Sequence, residues 1–307
     1  MCAAGAIRIN LGRMGKPIVL TRRADVRAWC KEARARGGVG FVPTMGALHA
    51  GHRSLAAASR ARGLETLVSI FVNPTQFGPN EDFDRYPRDL DGDVASLESE
   101  GVAAVFAPSV DEMYPPGDRT TVSVREVTEG FCGRFRPGHF DGVATIVARL
   151  FATVGESTAF FGRKDYQQVA VIRRMTLDLG LPVEVVPCPT LRDPDGLAMS
   201  SRNRYLAPES RHRALSLARG LHAAHAAYAA GERRADELMR LAHEEVASCM
   251  DRIDYVELGD ALSLAPLAGK TLTGNAVLAI AAHLGGTRLI DNLVLGEDPS
   301  PFAGVSP

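Results

Sequence analysis

The sequence lacks the features that mark secreted proteins and membrane proteins. Its 307 residues include only five cysteines and no C-x-x-C pair, which disfavours a disulfide framework and a structural zinc site. No segment approaches the run of about 18 uncharged apolar residues that a membrane-spanning helix needs. The first twenty residues hold no apolar stretch typical of a signal peptide. We therefore expect a soluble protein with reduced thiols, located in the cytoplasm.

An excess of either charge is also absent, because 35 Lys and Arg residues nearly balance 36 Asp and Glu residues. Such a surface has no overall field that recruits DNA or RNA. We expect no nucleic acid partner, and anionic ligands must be met by local cations. The apolar content is ample, with 46% hydrophobic and 23% charged residues, and this composition predicts a globular chain of one large or two moderate domains.

Short β-branched or aromatic runs alternate with helix-length segments between about residues 39 and 187. The predicted strands are 40–42, 67–72, 103–106, 121–124, 159–161 and 183–186, and the predicted helices are 53–62, 89–100, 143–154 and 166–179. This alternation predicts an α/β fold with a Rossmann-like, doubly wound and mainly parallel sheet. Ligands bind such sheets beyond the carboxyl ends of the strands.

The pattern changes after residue 190. A polar loop precedes two alanine-rich helices, predicted at 208–230 and 235–250, and three strand-like runs at 255–258, 277–280 and 289–295. We predict a smaller α+β domain at 191–296, following a first domain at 17–190. Residues 1–16 and 297–307 are predicted to be a flexible extension and a flexible tail. Because the leader is longer than the fold requires, Met14 is a candidate translation start.

The segment P-T-M-G-A-L-H-A-G-H at residues 43–52 follows a predicted strand and opens a predicted helix. Backbone N–H groups at such a turn favour an anion, and His49 and His52 add donors on one face. A pair of solvated histidines and a metal-binding pair are the alternatives. The loop G-L-A-M-S-S-R-N-R at 196–204 groups hydroxyls and guanidinium groups that suit closure over phosphate oxygens, although a solvated loop has the same composition.

Together, the H-x-G-H turn and the M-S-S-R loop resemble the paired signatures of the nucleotidyl-transferase superfamily, which includes class I aminoacyl-tRNA synthetases. Four further segments narrow the resemblance: V-N-P-T-Q-F at 72–77, Y-P-R at 86–88, R-P-G-H-F at 136–140 and G-R-K-D-Y-Q-Q at 162–168. With them, the chain from about residue 17 to 295 resembles the pantoate–β-alanine ligases. Read alone, Asn73 and Gln76 could cap a turn, and Lys164 with Asp165 could form an exposed ion pair.

The resemblance implies condensation of (R)-pantoate with β-alanine by a homodimer, with ATP split to AMP and pyrophosphate through a pantoyl adenylate. The alternative is a superfamily member that leaves the nucleotide on its product. The implied catalytic residues are His49, His52, Lys164, Ser200, Ser201 and Arg202, with His52 as proton donor. The implied ATP-binding residues are Met45, Gly46, Ala47, Leu48, His49, Ala50, Gly51, His52, Gly162, Arg163, Lys164, Asp165, Leu191, Met199, Ser200, Ser201 and Arg202.

Pantoate and β-alanine would contact the side chains of Asn73, Gln76, Tyr86, Arg136 and Gln168. The resemblance also implies Mg²⁺ with the ATP. The family often carries two adjacent acidic residues associated with the metal, and here Gly92 replaces the first of them. Asp93 is left as the candidate metal ligand, and a carboxylate-rich helix N-terminus is the alternative reading.

Overall fold

The computed structural model of the protein describes residues 15–79 and 81–303. Its strands are β1 (Ile18–Leu20), β2 (Val39–Thr44), β3 (Glu65–Ile70), β4 (Ala104–Phe106), β5 (Ser157–Gly162), β6 (Val183–Cys188), β7 (Arg252–Asp260), β8 (Ala276–Leu284) and β9 (Thr287–Leu295). Its α-helices are α1 (Arg23–Arg36), α2 (Ala50–Ala61), α3 (Leu90–Glu98), α4 (Val110–Met113), α5 (Phe131–Phe135), α6 (His139–Val154), α7 (Tyr166–Asp178), α8 (Pro208–Ala214), α9 (Ser216–Ala229) and α10 (Ala235–Ala247). The candidate start Met14 and most of the predicted extension lie outside the described residues.

The first six strands form one parallel sheet in the order β1-β4-β3-β2-β5-β6. Consecutive residues of its central strands point to opposite faces, and both sets are buried. Phe41 and Leu67 belong to one apolar cluster, and Val42 and Val68 belong to the other. Helices α1, α6 and α7 cover the first face, while α2 and α3 cover the second. The predicted doubly wound α/β fold is confirmed.

The strand order indicates at which edge of this sheet ligands are expected to bind. From β2 the chain continues outward through β3 and β4, and then returns to the other side of β2 to form β5 and β6. The connections therefore change direction between β2 and β5, and a crevice opens at the carboxyl ends of strands flanking such a switch point. Strand β2 ends at Thr44 and β5 ends at Gly162, so the residues that follow both strands face this crevice.

The last three strands form a separate antiparallel sheet in the order β7-β8-β9. Helices α9 and α10 pack on it through a second core that includes Leu221, Leu238, Leu278 and Leu293. This arrangement confirms the predicted α+β character of the C-terminal part. The exact domain limits at residues 17, 190 and 296 stay predictions.

Three local expectations differ from the structure. Residues 121–124 form no strand. The backbone N–H of Val122 instead donates to the Thr145 hydroxyl at 2.9 Å, because β-branched residues form a strand only where a partner strand is available. Strand β1 and helix α1 were not predicted, and the predicted helix 208–230 is interrupted at Leu215, whose ψ of -13° departs from the helical value.

The described part of the predicted flexible tail makes specific contacts. Glu297 and Asp298 form ion pairs with Arg163, and the Phe302 ring lies against Gly196, leaving no room for a Cβ there. These contacts tie Glu297, Asp298 and Phe302 to the rest of the chain, and the flexibility of the tail stays a prediction. Residues 304–307 lie outside the described part. Among the described helices, none is both long and apolar enough to cross a bilayer.

Candidate active site

The turn between β2 and α2 has an unusual backbone that a distant carboxylate holds in place. Gly46 and Ala47 adopt positive φ angles of 83° and 51°, the second of which is uncommon for a residue with a Cβ. The backbone N–H groups of Ala47 and Leu48 donate to the two carboxylate oxygens of Asp93, at 2.9 and 2.8 Å. A Cβ at Gly46 would lie 2.8 Å from Asp93 Oδ2. The turn and the buried Asp93 side chain therefore determine each other's position.

His49 and His52 begin helix α2, and their hydrogen bonds determine which ring nitrogen carries the proton. His49 is the N-cap residue, and its Nδ1 accepts from the Gly51 N–H at 3.1 Å. His52 Nδ1 accepts from the His49 N–H at 3.4 Å. Burial lowers the pKa of His49 to about 4 and that of His52 to about 3, and the nearby Lys164 charge acts in the same direction. Both rings are therefore neutral at pH 7, with the proton on Nε2 as a donor.

Two amide side chains follow β3 in a 3₁₀ turn (Pro74–Gln76). Asn73 and Gln76 are buried, with 1% and 9% of their surface exposed. Asn73 Nδ2 donates to Gln76 Oε1 at 3.1 Å and to the Gly142 carbonyl at 3.1 Å. Gln76 Nε2 contacts the Met45 sulfur at 3.0 Å. The two amides form a connected pair at the crevice, and do more than cap a turn.

The backbone carbonyl of Gln76 is held by His139, which Arg136 holds in turn. The Arg136 guanidinium donates to Glu81 through Nε at 2.7 Å and lies 2.9 Å from His139 Nε2. Because arginine can only donate, His139 Nε2 accepts, and its Nδ1–H donates to the Gln76 carbonyl at 2.8 Å. Burial and the Arg136 charge lower the pKa of His139 to about 4. His139 is thus a neutral bridge from Arg136 to Gln76.

The turn after β5 is held from the C-terminal sheet. Asn292 of β9 is 5% exposed, and its Nδ2 donates to the carbonyl oxygens of Arg163 and Lys164 at 3.0 and 2.6 Å. The Lys164 side chain lines the crevice and forms no ion pair with any described residue. The Arg163 guanidinium instead pairs with Glu297 and Asp298. These two adjacent cations therefore have different roles.

The M-S-S-R loop contacts the segment that follows Gln76. Arg202 donates to both carboxylate oxygens of Asp82, at 3.2 and 2.9 Å. Burial raises the pKa of Asp82, but the hydrogen bond from Arg202 and its charge lower it by more. Ser201 Oγ lies 3.4 Å from the Tyr86 hydroxyl, and Ser200 Oγ accepts the N–H of Arg202 at 3.2 Å. The loop is therefore ordered by contacts that a nucleotide phosphate could replace.

These groups line one cleft of about 1410 Å³. Most of the residues predicted for the site line this cleft. They are Met45, His49, Gly51, His52, Asn73, Gln76, Tyr86, Arg136, Gly162, Lys164, Asp165, Gln168, Leu191, Met199, Ser200, Ser201 and Arg202. Gly46, Ala47, Leu48, Ala50 and Arg163 are not among the lining residues and belong to the backbone of the two turns. The adjacent Gln167 is a structural residue, since its Nε2 donates to the carbonyls of Val127 and Gly130.

The surroundings of Asp93 bear on the predicted magnesium site. Both oxygens of Asp93, the predicted metal ligand, already accept backbone N–H groups. Among the described residues, no group of three His, Cys, Asp or Glu side chains is arranged to hold a metal ion. The neighbouring Asp89 carboxylate accepts the Gly92 N–H at 3.0 Å and caps helix α3. In the structure the Asp93 side chain positions the turn, and its role as a metal ligand stays a prediction.

Three polar residues of the site were not singled out from the sequence. Glu81 and Asp82 lie just after the V-N-P-T-Q-F segment and pair with Arg136 and Arg202. The available signal was a pair of adjacent acidic residues directly after this amide-containing motif. For Asn292 there was none, because it lies within an apolar strand far along the chain from Lys164.

Comparison with known proteins gives one consistent family. A sequence model described as Pantoate-beta-alanine ligase matches residues 18–294. The chain is 53% identical over 283 residues to pantothenate synthetase 1 of Bradyrhizobium diazoefficiens, covering 92% of this chain and 99% of the relative. It is also 53% identical over 274 residues to pantothenate synthetase of Moorella thermoacetica, covering 89% of this chain and 96% of that protein.

Solved structures show the same likeness. The crystal structure of pantothenate synthetase from Thermus thermophilus superimposes with a TM-score of 0.85 at 46% identity, over 91% of this chain and 99% of the other. Pantoate-beta-alanine ligase from Francisella tularensis, complexed with beta-gamma ATP and beta-alanine, gives a TM-score of 0.74 at 30% identity, over 92% of this chain and 100% of the other.

Proposed function

Because the chain belongs to the pantoate–β-alanine ligase family, it joins pantoate to β-alanine with ATP, and we propose that it does so through a pantoyl adenylate formed in the described cleft. The observation that carries the proposal is the convergence of the amide pair Asn73 and Gln76, Lys164 and the M-S-S-R loop on one cleft. This arrangement offers amide groups to a polyhydroxy acid and cationic groups to phosphates.

In the first step a carboxylate oxygen of pantoate attacks the α-phosphorus of ATP, and the bond to the bridging oxygen of pyrophosphate breaks. Pantoate is already ionised at neutral pH, so no base is required, and the difficulty is the approach of two anions. The Lys164 ammonium supplies the positive charge, since it has no ion-pair partner among the described residues. Donors positioned where negative charge develops stabilise the transition state.

His49 and His52 serve this step as neutral donors. Their Nδ1 atoms accept backbone N–H groups, so each Nε2–H is directed to a ligand oxygen. The two rings therefore meet the phosphates as hydrogen-bond donors and carry no positive charge. The proton-donor role implied for His52 becomes donation of a hydrogen bond from a neutral imidazole.

In the second step the amine of β-alanine attacks the acyl carbon, and the bond from that carbon to the AMP oxygen breaks. The ammonium form must first lose a proton, since its pKa resembles that of lysine, about 10. Neither His49 nor His52 has a free Nδ1 to accept it. We assign the proton to the substrate phosphate or to water.

Arg202 links nucleotide binding to the loop. Before ATP binds, the Asp82 carboxylate balances the positive charge of the Arg202 guanidinium. Phosphate oxygens of ATP would compete with Asp82 for the same donors, and Ser200 and Ser201 would add hydroxyl donors beside them. Mg²⁺ would arrive on the triphosphate, which supplies oxygen ligands that the cation prefers.

The assembly and the location are proposed on separate grounds. A homodimer follows from the family resemblance, and light scattering after size exclusion tests it. A cytoplasmic location agrees with the cysteines of the described residues, Cys30, Cys132, Cys188 and Cys249, all of which are free thiols.

The decisive experiment is exchange of labelled pyrophosphate into ATP with β-alanine omitted. Exchange that requires pantoate, followed by AMP release only when β-alanine is added, supports the adenylate mechanism. A stable nucleotidylated product and no free AMP would contradict it, and would point instead to a transferase that retains the nucleotide.

A further inference from the structure

A hydrogen-bond network reaches Gln76 from behind the wall of the cleft. Tyr114 follows helix α4 and is not among the described residues that line the cleft. Its hydroxyl donates to Asn73 Oδ1 at 2.7 Å. The Tyr114 ring lies 6.3 Å from the Phe71 ring and 4.6 Å from the Arg149 guanidinium. The ring is thus held by packing while its hydroxyl points at the amide pair.

The partners of Asn73 determine which end of its amide is oxygen. One end faces the Tyr114 hydroxyl, the Thr75 hydroxyl at 3.0 Å and the Thr75 backbone N–H at 3.4 Å. The backbone N–H can only donate, so this end is Oδ1. The other end faces the Gly142 carbonyl, which can only accept. Asn73 therefore has a single satisfied orientation.

That orientation is passed on to Gln76. The second N–H of Asn73 Nδ2 donates to Gln76 Oε1, which turns the Gln76 oxygen away from the ligand. Gln76 Nε2 then faces the Met45 sulfur, a weak acceptor. An oxygen atom of a ligand is a better acceptor and would take the place of the sulfur.

We propose that Tyr114 is a positioning residue that makes Gln76 a hydrogen-bond donor to an acceptor oxygen of pantoate. The inference rests on the proposed function, because that function supplies the ligand. With Asn73 and Gln76 buried, water cannot compensate for an amide in the wrong orientation. Tyr114 acts through Asn73 and touches no substrate itself.

The test is steady-state kinetics of Tyr114→Phe, Thr75→Val and the double variant Tyr114→Phe/Thr75→Val in the full-length enzyme. Phenylalanine keeps the packing on Phe71 and Arg149 and removes only the hydroxyl. Loss of one hydrogen bond in a buried network predicts a pantoate KM raised about threefold to tenfold, with the ATP KM changed by less than about twofold. The double variant should exceed the product of the single effects, because both hydroxyl donors to Asn73 Oδ1 are gone.

Tyr228→Phe is the matched control, since Arg233 stacks on the Tyr228 ring at 3.8 Å outside the cleft. Thr75→Ser keeps the hydroxyl and should behave as wild type. A purely structural role would lower the fraction of active enzyme without separating the two KM values. An unchanged pantoate KM in the double variant, or equal changes in both KM values, would overturn the inference. Absence of pantoate-dependent exchange in the wild type would instead overturn the proposed function.

Discussion

At the scale of single residues, the reactive groups of this cleft depend on side chains that no motif contains. Asp93 holds the turn before His49, Asn292 holds the turn that presents Lys164, and Tyr114 orients Asn73. Each is a polar group whose partners come from a distant part of the chain. Sequence motifs identify residues that meet ligands, whereas these supporting contacts depend on the tertiary structure.

Lys164 carries the most direct prediction at this scale. Lys164→Ala removes the ammonium that meets the phosphates, and we expect pantoate-dependent pyrophosphate exchange to fall by about 10²- to 10³-fold. The thermal midpoint should change little, because the side chain forms no ion pair with a described residue. Lys270→Ala is the control, since Lys270 lies outside the cleft and bonds only the Pro266 carbonyl. Near-normal exchange in Lys164→Ala would refute the assignment.

Asp93 distinguishes a positioning role from a metal-binding role. Asp93→Asn turns an amide N–H₂ toward one of the two backbone N–H groups, and leaving a buried donor unpaired costs about 1–3 kcal/mol. We expect a lower thermal midpoint and a raised ATP KM, with the Mg²⁺ concentration for half-maximal activity unchanged. The measurement is a titration of Mg²⁺ at saturating ATP.

The control for this variant is Asp91→Asn, because Asp91 is exposed on the same first turn of α3. It should match wild type in all three measurements. A raised Mg²⁺ requirement in Asp93→Asn with unaltered ATP binding would instead support the metal-ligand interpretation.

At the scale of elements, the pattern of apolar residues predicted most of the sheet and the position of both signature motifs. The H-x-G-H segment follows strand β2 and opens helix α2 as expected. Helix α1 was missed although Val26, Trp29, Cys30 and Ala33 recur at helical spacing and are buried. Residues 121–124 were wrongly predicted as a strand. Their β-branched residues favour a strand, but such a segment forms one only when a neighbouring strand is available for pairing. The contact between β9 and the Lys164 turn could not be predicted, since nothing local to either segment encodes it.

That contact gives a prediction for Asn292. Asn292→Ala leaves the carbonyl oxygens of Arg163 and Lys164 without their donor. The turn after β5 then loses its support, and the Lys164 side chain is no longer held in one position. We expect kcat to fall by about tenfold or more, because a small misplacement of a catalytic group is costly. The measurement is the rate of single-turnover adenylate formation. The control variant is Asn203→Ala. Asn203 lines the same cleft, and its side chain donates to the Ala198 carbonyl. A larger loss in the Asn203 variant would contradict the role of β9.

At the scale of the whole molecule, nearly balanced charge coexists with a cleft that must bind three anionic or zwitterionic substrates. The structure pairs two of its cleft arginines internally, Arg136 with Glu81 and Arg202 with Asp82, while Lys164 has no carboxylate partner in the described chain. Net charge therefore predicted correctly that local cations are needed, but could not identify which of them are compensated. The neutral state of the histidines was likewise hidden from the sequence, because it follows from burial.

The neutral histidines predict how stability depends on pH. In the folded protein the pKa is about 4 for His49, about 3 for His52 and about 4 for His139, whereas an unfolded histidine titrates near about 6.5. Between about pH 6.5 and about pH 4 the unfolded chain binds more protons than the folded one, so the free energy of unfolding falls as the pH falls. We expect the thermal midpoint to drop steadily from about pH 7 to about pH 5 in the absence of ligands. His139→Gln should flatten that slope, while His212→Gln, outside the cleft, should leave it unchanged. A midpoint constant over this range would show that these rings titrate alike in the folded and unfolded protein, and would contradict their neutrality by burial.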